Sequence, residues 1–193
     1  MLAGIAVVIC AGVFALATYT EQKQTAVASA PMVSARPAPV FVPPSGPAPG
    51  TPPDLSKMTM RDAADRLFNR IMRVSEQGNI EEAQRFVPMA VQAYNSLPVL
   101  DDDAHYHLGL IYGIAGDDEQ GRLQIAALKQ AAPNHLLAMM LEHAIAEKSG
   151  DTAAAAKISA AFTAAYVAEM ATGRPEYLAH RSTIQQFRAA TTK

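Results

Sequence analysis

Histidine is the residue type in this 193-residue chain whose spacing first invites a search for metal or catalytic chemistry. His105 and His107 lie two residues apart on a predicted helix, so they point to different faces and do not grip one metal together. His135 and His143 are eight residues apart, two turns along a helix, with no carboxylate pair between them in ligand geometry. His180 stands alone in the sequence. Local spacing therefore predicts no metal site.

Nucleophilic and phosphate-binding motifs are missing from the sequence. The lone Cys10 lies in an apolar run away from every histidine, and no Gly-x-Ser-x-Gly elbow occurs. Gly113, Gly116 and Gly121 are spaced unlike either nucleotide fingerprint. We therefore expect a protein that is not an enzyme and that binds no cofactor.

Carboxylates do occur in pairs and triplets, at Glu81-Glu82, Asp101–Asp103 and Asp117–Glu119. Each group falls in the first turn of a predicted helix. There a carboxylate caps free N–H groups and offsets the positive end of the helix dipole. Capping explains these acids without catalysis.

Composition indicates an all-helical protein that does not bind nucleic acid. Half of the residues are hydrophobic, only 6% are aromatic and Trp is absent, so the apolar residues are mainly helix formers. The formal net charge is -2, so the chain lacks the excess of basic residues that is typical of a DNA- or RNA-binding domain. A single cysteine allows no disulfide within the chain.

The first 19 residues predict a membrane segment. The uncharged run is just long enough, at roughly 1.5 Å per residue, to cross a hydrocarbon core of about 30 Å. This favours a single-pass anchor that leaves the helical domain on the periplasmic or exoplasmic side. The alternative is a cleaved export signal, because Ala15–Ala17 and Ala26–Ala28 fit the small-residue cleavage pattern, and the product would then be periplasmic or secreted.

Residues 20–56 predict a disordered Pro/Ala-rich linker. Nine of the 13 prolines lie between Pro31 and Pro53, a density that excludes helices and central strands. Such a segment is extended and semi-rigid. It would hold residues 57–193 away from the membrane as a separate helical domain.

Internal repetition marks that domain. Gly78, Gly116 and Gly150 each end one helical pattern, and the Asn or Asp that follows is placed to cap the next helix. The intervals of 38 and 34 residues are typical of an array of helix–turn–helix units.

The central unit carries a specific motif: His105, Leu108-Gly109, Tyr112, Gly121, Ile125 and Pro133. These positions match the offsets of the tetratricopeptide repeat, and the chain therefore resembles that family over roughly residues 60–172. The resemblance implies a solenoid of about three antiparallel helix pairs. Gly109 would let the second helix of its unit approach the first, and Gly121 would remove bulk at the crossing.

The flanking units depart from the motif, as terminal repeats of such arrays do. Arg70-Ile71 and Glu142-His143 stand where Leu-Gly would be. A final amphipathic segment, 175–190, is predicted as a single capping helix. Pro88 falls inside the second predicted helix, so we expect a kink or an early break at Phe86-Val87. The predicted helices are 59–76, 80–95, 102–115, 118–131, 135–148, 152–171 and 175–190.

The resemblance implies a protein or peptide partner bound on the concave face that the first helices of the pairs line. Six positions on those helices are not used by the packing motif. The stretch 99–121 is acidic and contains no Lys or Arg, so it forms either a docking surface for a basic partner or a face that only contacts solvent. The candidate partner-binding residues are Asn69, Arg73, Asp101, Asp102, His107, Ile111, Met139 and His143.

The functional hypothesis is a membrane-tethered, non-enzymatic interaction scaffold. Two alternatives stay open: an assembly or maturation factor that holds an envelope client, and a self-associating component of an envelope complex. The self-associating component would use the Ala-rich helix 152–171 as an oligomer face. Packing of this helix within the chain is the competing explanation for its small residues.

Overall fold

A computed structural model describes residues 58–191, and all regular structure within this range is helical. This confirms the all-α class. The helices are α1 (Met60–Glu76), α2 (Ile80–Asn95), α3 (Asp102–Ala115), α4 (Asp118–Ala131), α5 (Leu136–Ser149), α6 (Thr152–Ala171), α7 (Pro175–Ala179) and α8 (Arg181–Thr191).

Side-chain caps fix the starts of four described helices, α1, α3, α4 and α6. Thr59 and Asp62 form a reciprocal capping box at α1. Asp101, Asp117 and Asp151 each accept a hydrogen bond from the backbone N–H three residues later, as the sequence predicts. Asn79 differs, because it occupies the cap position of α2 without a side-chain hydrogen bond.

Left-handed glycines end the first helix of two hairpins. Gly116 closes α3 at φ 79° and Gly150 closes α5 at φ 74°, a conformation that glycine adopts without steric cost. Each turn is immediately followed by the aspartate that caps the next helix, so adjacent helices fold back on each other.

Three helix hairpins stack in chain order. The pairs α1–α2, α3–α4 and α5–α6 pack internally, and α2–α3 and α4–α5 join consecutive pairs. The first helices also contact one another, α1 with α3 and α3 with α5. We call the surface formed by α1, α3 and α5 the A-helix layer.

Two apolar clusters form the core, and α3 contributes to both. One packs Phe68, Ile71 and Tyr94 of the first hairpin with Ile111 of α3. The other groups residues of α3 to α6 with Tyr177 of α7 and Ile184 of α8. The hairpins and the C-terminal helices are therefore held by one helix at the centre.

Helix α2 runs unbroken through Pro88, so the predicted early break is wrong. Pro88 lacks the N–H that would bond to the carbonyl of Gln84. Both residues are exposed, so water reaches the freed carbonyl, while Val87 and Ala90 stay buried on the opposite face. Packing of that face keeps the segment helical.

The predicted single helix over 175–190 is two helices. The chain turns at His180, whose backbone has φ -103° and ψ 21°. The turn places Tyr177 before it and Ile184 after it in the core, both fully buried. We call residues 174–191 the C-terminal segment. It packs on the A-helix layer, α7 against α3 and α8 against α5, and α8 also contacts α6.

Gly109 makes its close approach to a different helix from the one predicted. A Cβ at Gly109 would lie 2.5 Å from Leu141 Cδ1 of α5, the first helix of the next hairpin. A Cβ at Gly121 would lie 3.8 Å from Ile145, also on α5, which is ordinary contact. The glycine therefore serves the stacking of α3 on α5 rather than closure of its own hairpin.

The predicted anchor (1–19) and linker (20–56) lie outside the described residues. Within 58–191, no helix is long and apolar enough to span a membrane. Tetratricopeptide identity stays a prediction.

Alanine substitutions test the close approach at Gly109. Gly109→Ala and Gly121→Ala gain similar helix propensity, so the difference between their free energies of unfolding reports side-chain packing alone. We expect Gly109→Ala to be less stable than Gly121→Ala by about 1–3 kcal/mol, because buried Leu141 must move. Urea unfolding of the full chain measures this difference. Equal midpoints would contradict the α3–α5 contact.

Candidate functional site

The described part of the chain concentrates its polar interior around the first turn of α3. Asp101, Asp102 and Asp103 are consecutive, and each meets a different set of partners. Asp101 and Asp103 face Arg61 of α1, and Asp102 faces the C-terminal segment. These contacts bring together groups 40 or more residues apart in sequence.

Arg61 links α1 to α3. Its Nε donates to Asp65 at 2.9 Å and its Nη1 to Asp101 at 2.8 Å, and its Nη2 contacts Asp103. Burial opposes the charge, but the hydrogen bonds to Asp101 and Asp65 outweigh it and raise the pKa of Arg61. The guanidinium stays charged and joins three carboxylates.

His107 is buried beside this ion cluster. Its ring stacks on Phe68 with centroids 3.8 Å apart. The Tyr94 hydroxyl donates to Asp65 at 2.7 Å and therefore accepts from His107 Nδ1–H at 2.8 Å. Burial lowers the pKa of His107 to about 4, although Asp103 opposes the shift. The imidazole is neutral at pH 7.

His180 joins the C-terminal segment to the same cluster. Its Nε2 donates to Asp103 Oδ1 at 2.7 Å, and its ring meets Tyr106 edge-on at 4.7 Å. Burial works against ionisation of Asp103, but this bond and nearby positive groups hold the pKa of Asp103 below its usual value. Asp103 is thus the point where α1, α3 and the C-terminal segment meet.

A second polar group surrounds Asp102. His135, the N-cap residue of α5, is fully buried, and its Nε2 lies 3.1 Å from Glu176 Oε1 and 4.0 Å from Asp102 Oδ2. Arg174 Nη1 lies 3.6 Å from Asp102 and 4.0 Å from Glu176. Burial lowers the pKa of His135 to about 4.

Tyr177 completes this second group. Its hydroxyl accepts from the Leu136 N–H and donates to Glu169, both at 2.9 Å. Burial raises the pKa of Tyr177 beyond its ordinary range. The tyrosine therefore ties α7 to the start of α5 and to the end of α6.

The donor atoms form two trios that offer metal-ligand chemistry. Asp103, His107 and His180 are one, and Asp102, His135 and Glu176 are the other, each with its atoms within 4.8 Å of one another. In the first trio, Arg61 already contacts Asp103 and the Tyr94 hydroxyl occupies His107 Nδ1. In the second trio the arginine is more distant.

Five of the predicted partner-binding residues keep some exposure, including His143. Asn69 and Arg73 are exposed on α1. Asp101 is exposed but bound to Arg61, and Asp102 is partly buried beside Arg174. The acidic stretch is therefore neutralised in part by arginines of the same chain, which weakens the case for a basic partner.

The expectation that helix packing leaves His107, Ile111 and Met139 free is wrong, because all three are buried. Ile111 lies in the first core cluster and Met139 in the second. His143 is half-buried, with Phe187 of α8 edge-on at 5.0 Å. The C-terminal segment covers this part of the A-helix layer.

Sequence reasoning missed His135, Arg174, Glu176 and Tyr177 as members of one site. The acidic stretch 99–121 was the one signal of this site in the sequence, because half-buried carboxylates without a nearby Lys or Arg need positive partners from other parts of the chain. The sequence does not show which arginines supply them, because Arg174 is 72 residues from Asp102.

Comparisons with known proteins add no identification: no protein-family model matches the chain, and no curated protein or solved structure shows a significant match.

Acid should destabilise the protein through His107. Its pKa is 6.5 when unfolded and about 4 when folded, so between these values the unfolded state binds more protons and stability falls with pH. The full loss from His107 is about 3 kcal/mol, and His135, whose pKa is lowered in the same way, adds to the loss over the same pH range. Asp103 adds nothing in this window, because its lowered pKa acts only below pH 3.8.

Melting temperatures between pH 7.5 and 4.5 measure this effect. His107→Gln should reduce the slope without abolishing it, because His135 contributes over the same pH range. His105→Gln, at the half-buried histidine two residues away, should keep the full slope. Equal slopes in both variants would show that other groups cause the acid sensitivity.

Proposed function

We propose that this chain is a non-enzymatic protein-interaction scaffold, tethered to a membrane by its N-terminal segment. In this proposal the A-helix layer binds helical segments of a protein partner. The observation that carries it is intramolecular: two short helices of the chain itself pack on α3 and α5 through buried anchors.

The anchors define what the layer accepts. Tyr177 and Ile184 insert fully into the core, while His180 and Arg174 meet the aspartates of α3. The layer thus combines apolar pockets with acidic groups at the helix start. This combination suits an amphipathic helix that carries basic or hydrogen-bond-donating residues on one edge.

The part of the layer that the C-terminal segment leaves open is on α1. Its outer face exposes side chains at helical spacing of three and four, with two arginines near its centre and one acidic residue toward each end. This face includes two of the sequence-predicted residues and suits an acidic partner segment. The exposed residues are Asp62, Arg66, Asn69, Arg73 and Glu76.

Site-specific photocrosslinking in native membranes tests this surface. A photoreactive residue at Asn69 should give a discrete protein adduct, and one at the exposed Arg122 on α4 should not. Reversing charge with Arg66→Glu and Arg73→Glu should reduce adduct yield about tenfold at low salt, because two exposed attractions become repulsions.

A matched control is Arg122→Glu, which should leave the adduct unchanged. Equal adducts from Asn69 and Arg122, or no effect of the double reversal, would reject α1 as the partner surface. The same adduct identifies the partner, and so separates a general scaffold from an assembly factor that holds an unfolded or immature client.

Self-association is a second candidate, favoured by α6. This helix buries only Ala155 and Phe162. Most of its other alanines face solvent, so packing within the chain does not use them. The exposed alanines that would form the oligomer face are Ala153, Ala156, Ala160, Ala161 and Ala164.

Mass measurement of the full chain in detergent tests this candidate. If α6 is an interface, Ala160→Glu with Ala164→Glu should convert oligomers to monomers, since charges at a close helix contact are unfavourable. Ala126→Glu, at an exposed alanine of α4, is the control. A monomeric wild-type chain would remove the candidate.

A further inference from the structure

Asp102, His135 and Glu176 lie on three elements and converge on one point. His135 Nε2 lies 3.1 Å from Glu176 Oε1 and 4.0 Å from Asp102 Oδ2, and all three donor atoms lie within 4.8 Å of one another. His135 and Glu176 are buried, whereas Asp102 keeps a quarter of its side chain exposed. The cluster is therefore enclosed on one side and open on the Asp102 side.

The charges at this point do not balance. Three carboxylates, those of Asp102, Glu169 and Glu176, face a single guanidinium, that of Arg174. The closest contacts of Arg174 to them are 3.6, 3.9 and 4.0 Å, each longer than a hydrogen bond. Its Nε is buried without a hydrogen-bond partner. A net charge of about -2 in a partly buried site favours a divalent cation.

We propose that Asp102, His135 and Glu176 bind a divalent transition-metal ion of the zinc class. One imidazole nitrogen and two carboxylate oxygens are donors that zinc accepts, with a water in the fourth position. Tetrahedral ligands at about 2.0–2.1 Å lie about 3.3 Å from each other, so the donors need to move together by about 1.5 Å at most. The nitrogen donor disfavours Mg²⁺ and Ca²⁺, which prefer oxygen ligands.

Arg174 and the metal compete for the same carboxylates. Arg174 is partly exposed and loosely held, so its side chain can turn to solvent when the ion enters. His135 binds through Nε2, and its ring proton then resides on Nδ1. Because Nδ1 has no partner, the site lacks the second-shell bond that usually supports a metal-binding histidine. We expect this to weaken affinity about 10–100-fold relative to a supported site.

The ion would connect α3, the start of α5 and α7. It would therefore fasten the C-terminal segment to the A-helix layer, in addition to the bond between His180 and Asp103. The site is independent of the partner surface proposed on α1.

Titration of the full-length chain in detergent with Zn²⁺, followed by calorimetry, and with Co²⁺, followed by its visible absorption bands, tests the site. The wild type should bind one Zn²⁺ per chain. Asp102→Asn and Glu176→Gln should each weaken binding at least about tenfold, because each removes a charged ligand. Arg174→Ala should tighten binding, because the competing cation is gone.

Asp101→Asn and His143→Ala are the controls, since they alter an adjacent aspartate and another histidine outside the cluster. If Glu176→Gln fails to fold by circular dichroism, Asp102→Asn decides alone, because Asp102 lies at the exposed edge. Unchanged affinity in Asp102→Asn overturns the proposal and shows adventitious surface binding. Weaker binding in Arg174→Ala also overturns it, because the arginine would then support the ion rather than compete with it.

Discussion

The first turn of α3 is the point on which the arrangement of the described helices depends. Asp101 and Asp103 hold Arg61 of α1, and Asp103 also holds His180 of the C-terminal segment. An isolated carboxylate would be costly at the half-buried Asp103, so this residue needs partners from other elements, whereas Asp101 is exposed. The aspartates therefore specify which helices meet at α3, while burial of apolar residues supplies most of the stabilising free energy.

Packing around the same turn buries two histidines, His107 and His135, which are neutral at pH 7. Once the C-terminal segment packs on α3 and α5, His107 and His135 lose water on every side, and desolvation outweighs the nearby carboxylates. Their pKa values fall, so the imidazoles serve as neutral hydrogen-bonding groups at pH 7. Buried neutral histidines next to carboxylates make the arrangement sensitive to acid and, in the second trio, receptive to a cation.

The C-terminal segment also changes how the A-helix layer functions. In a stacked array with an uncovered face, α1, α3 and α5 would all be exposed to solvent. Here the C-terminal segment covers the part of that face formed by α3 and α5. Under the proposed function, an external partner would meet the exposed face of α1 or displace the segment from its buried anchors Tyr177 and Ile184. Filling the face with part of the chain also protects apolar surface that would otherwise be exposed to solvent.

The sequence by itself determined the helices, their caps and the hairpin turns, because these depend on residues three or four positions apart. Asp101, Asp117 and Asp151 cap as predicted, and the helix bounds agree closely. The tertiary structure alone decided the site and the break at His180. The bond from His180 to Asp103 spans 77 residues, and that from His135 to Glu176 spans 41. Such pairings follow from how the hairpins stack, and no local spacing in the sequence encodes them.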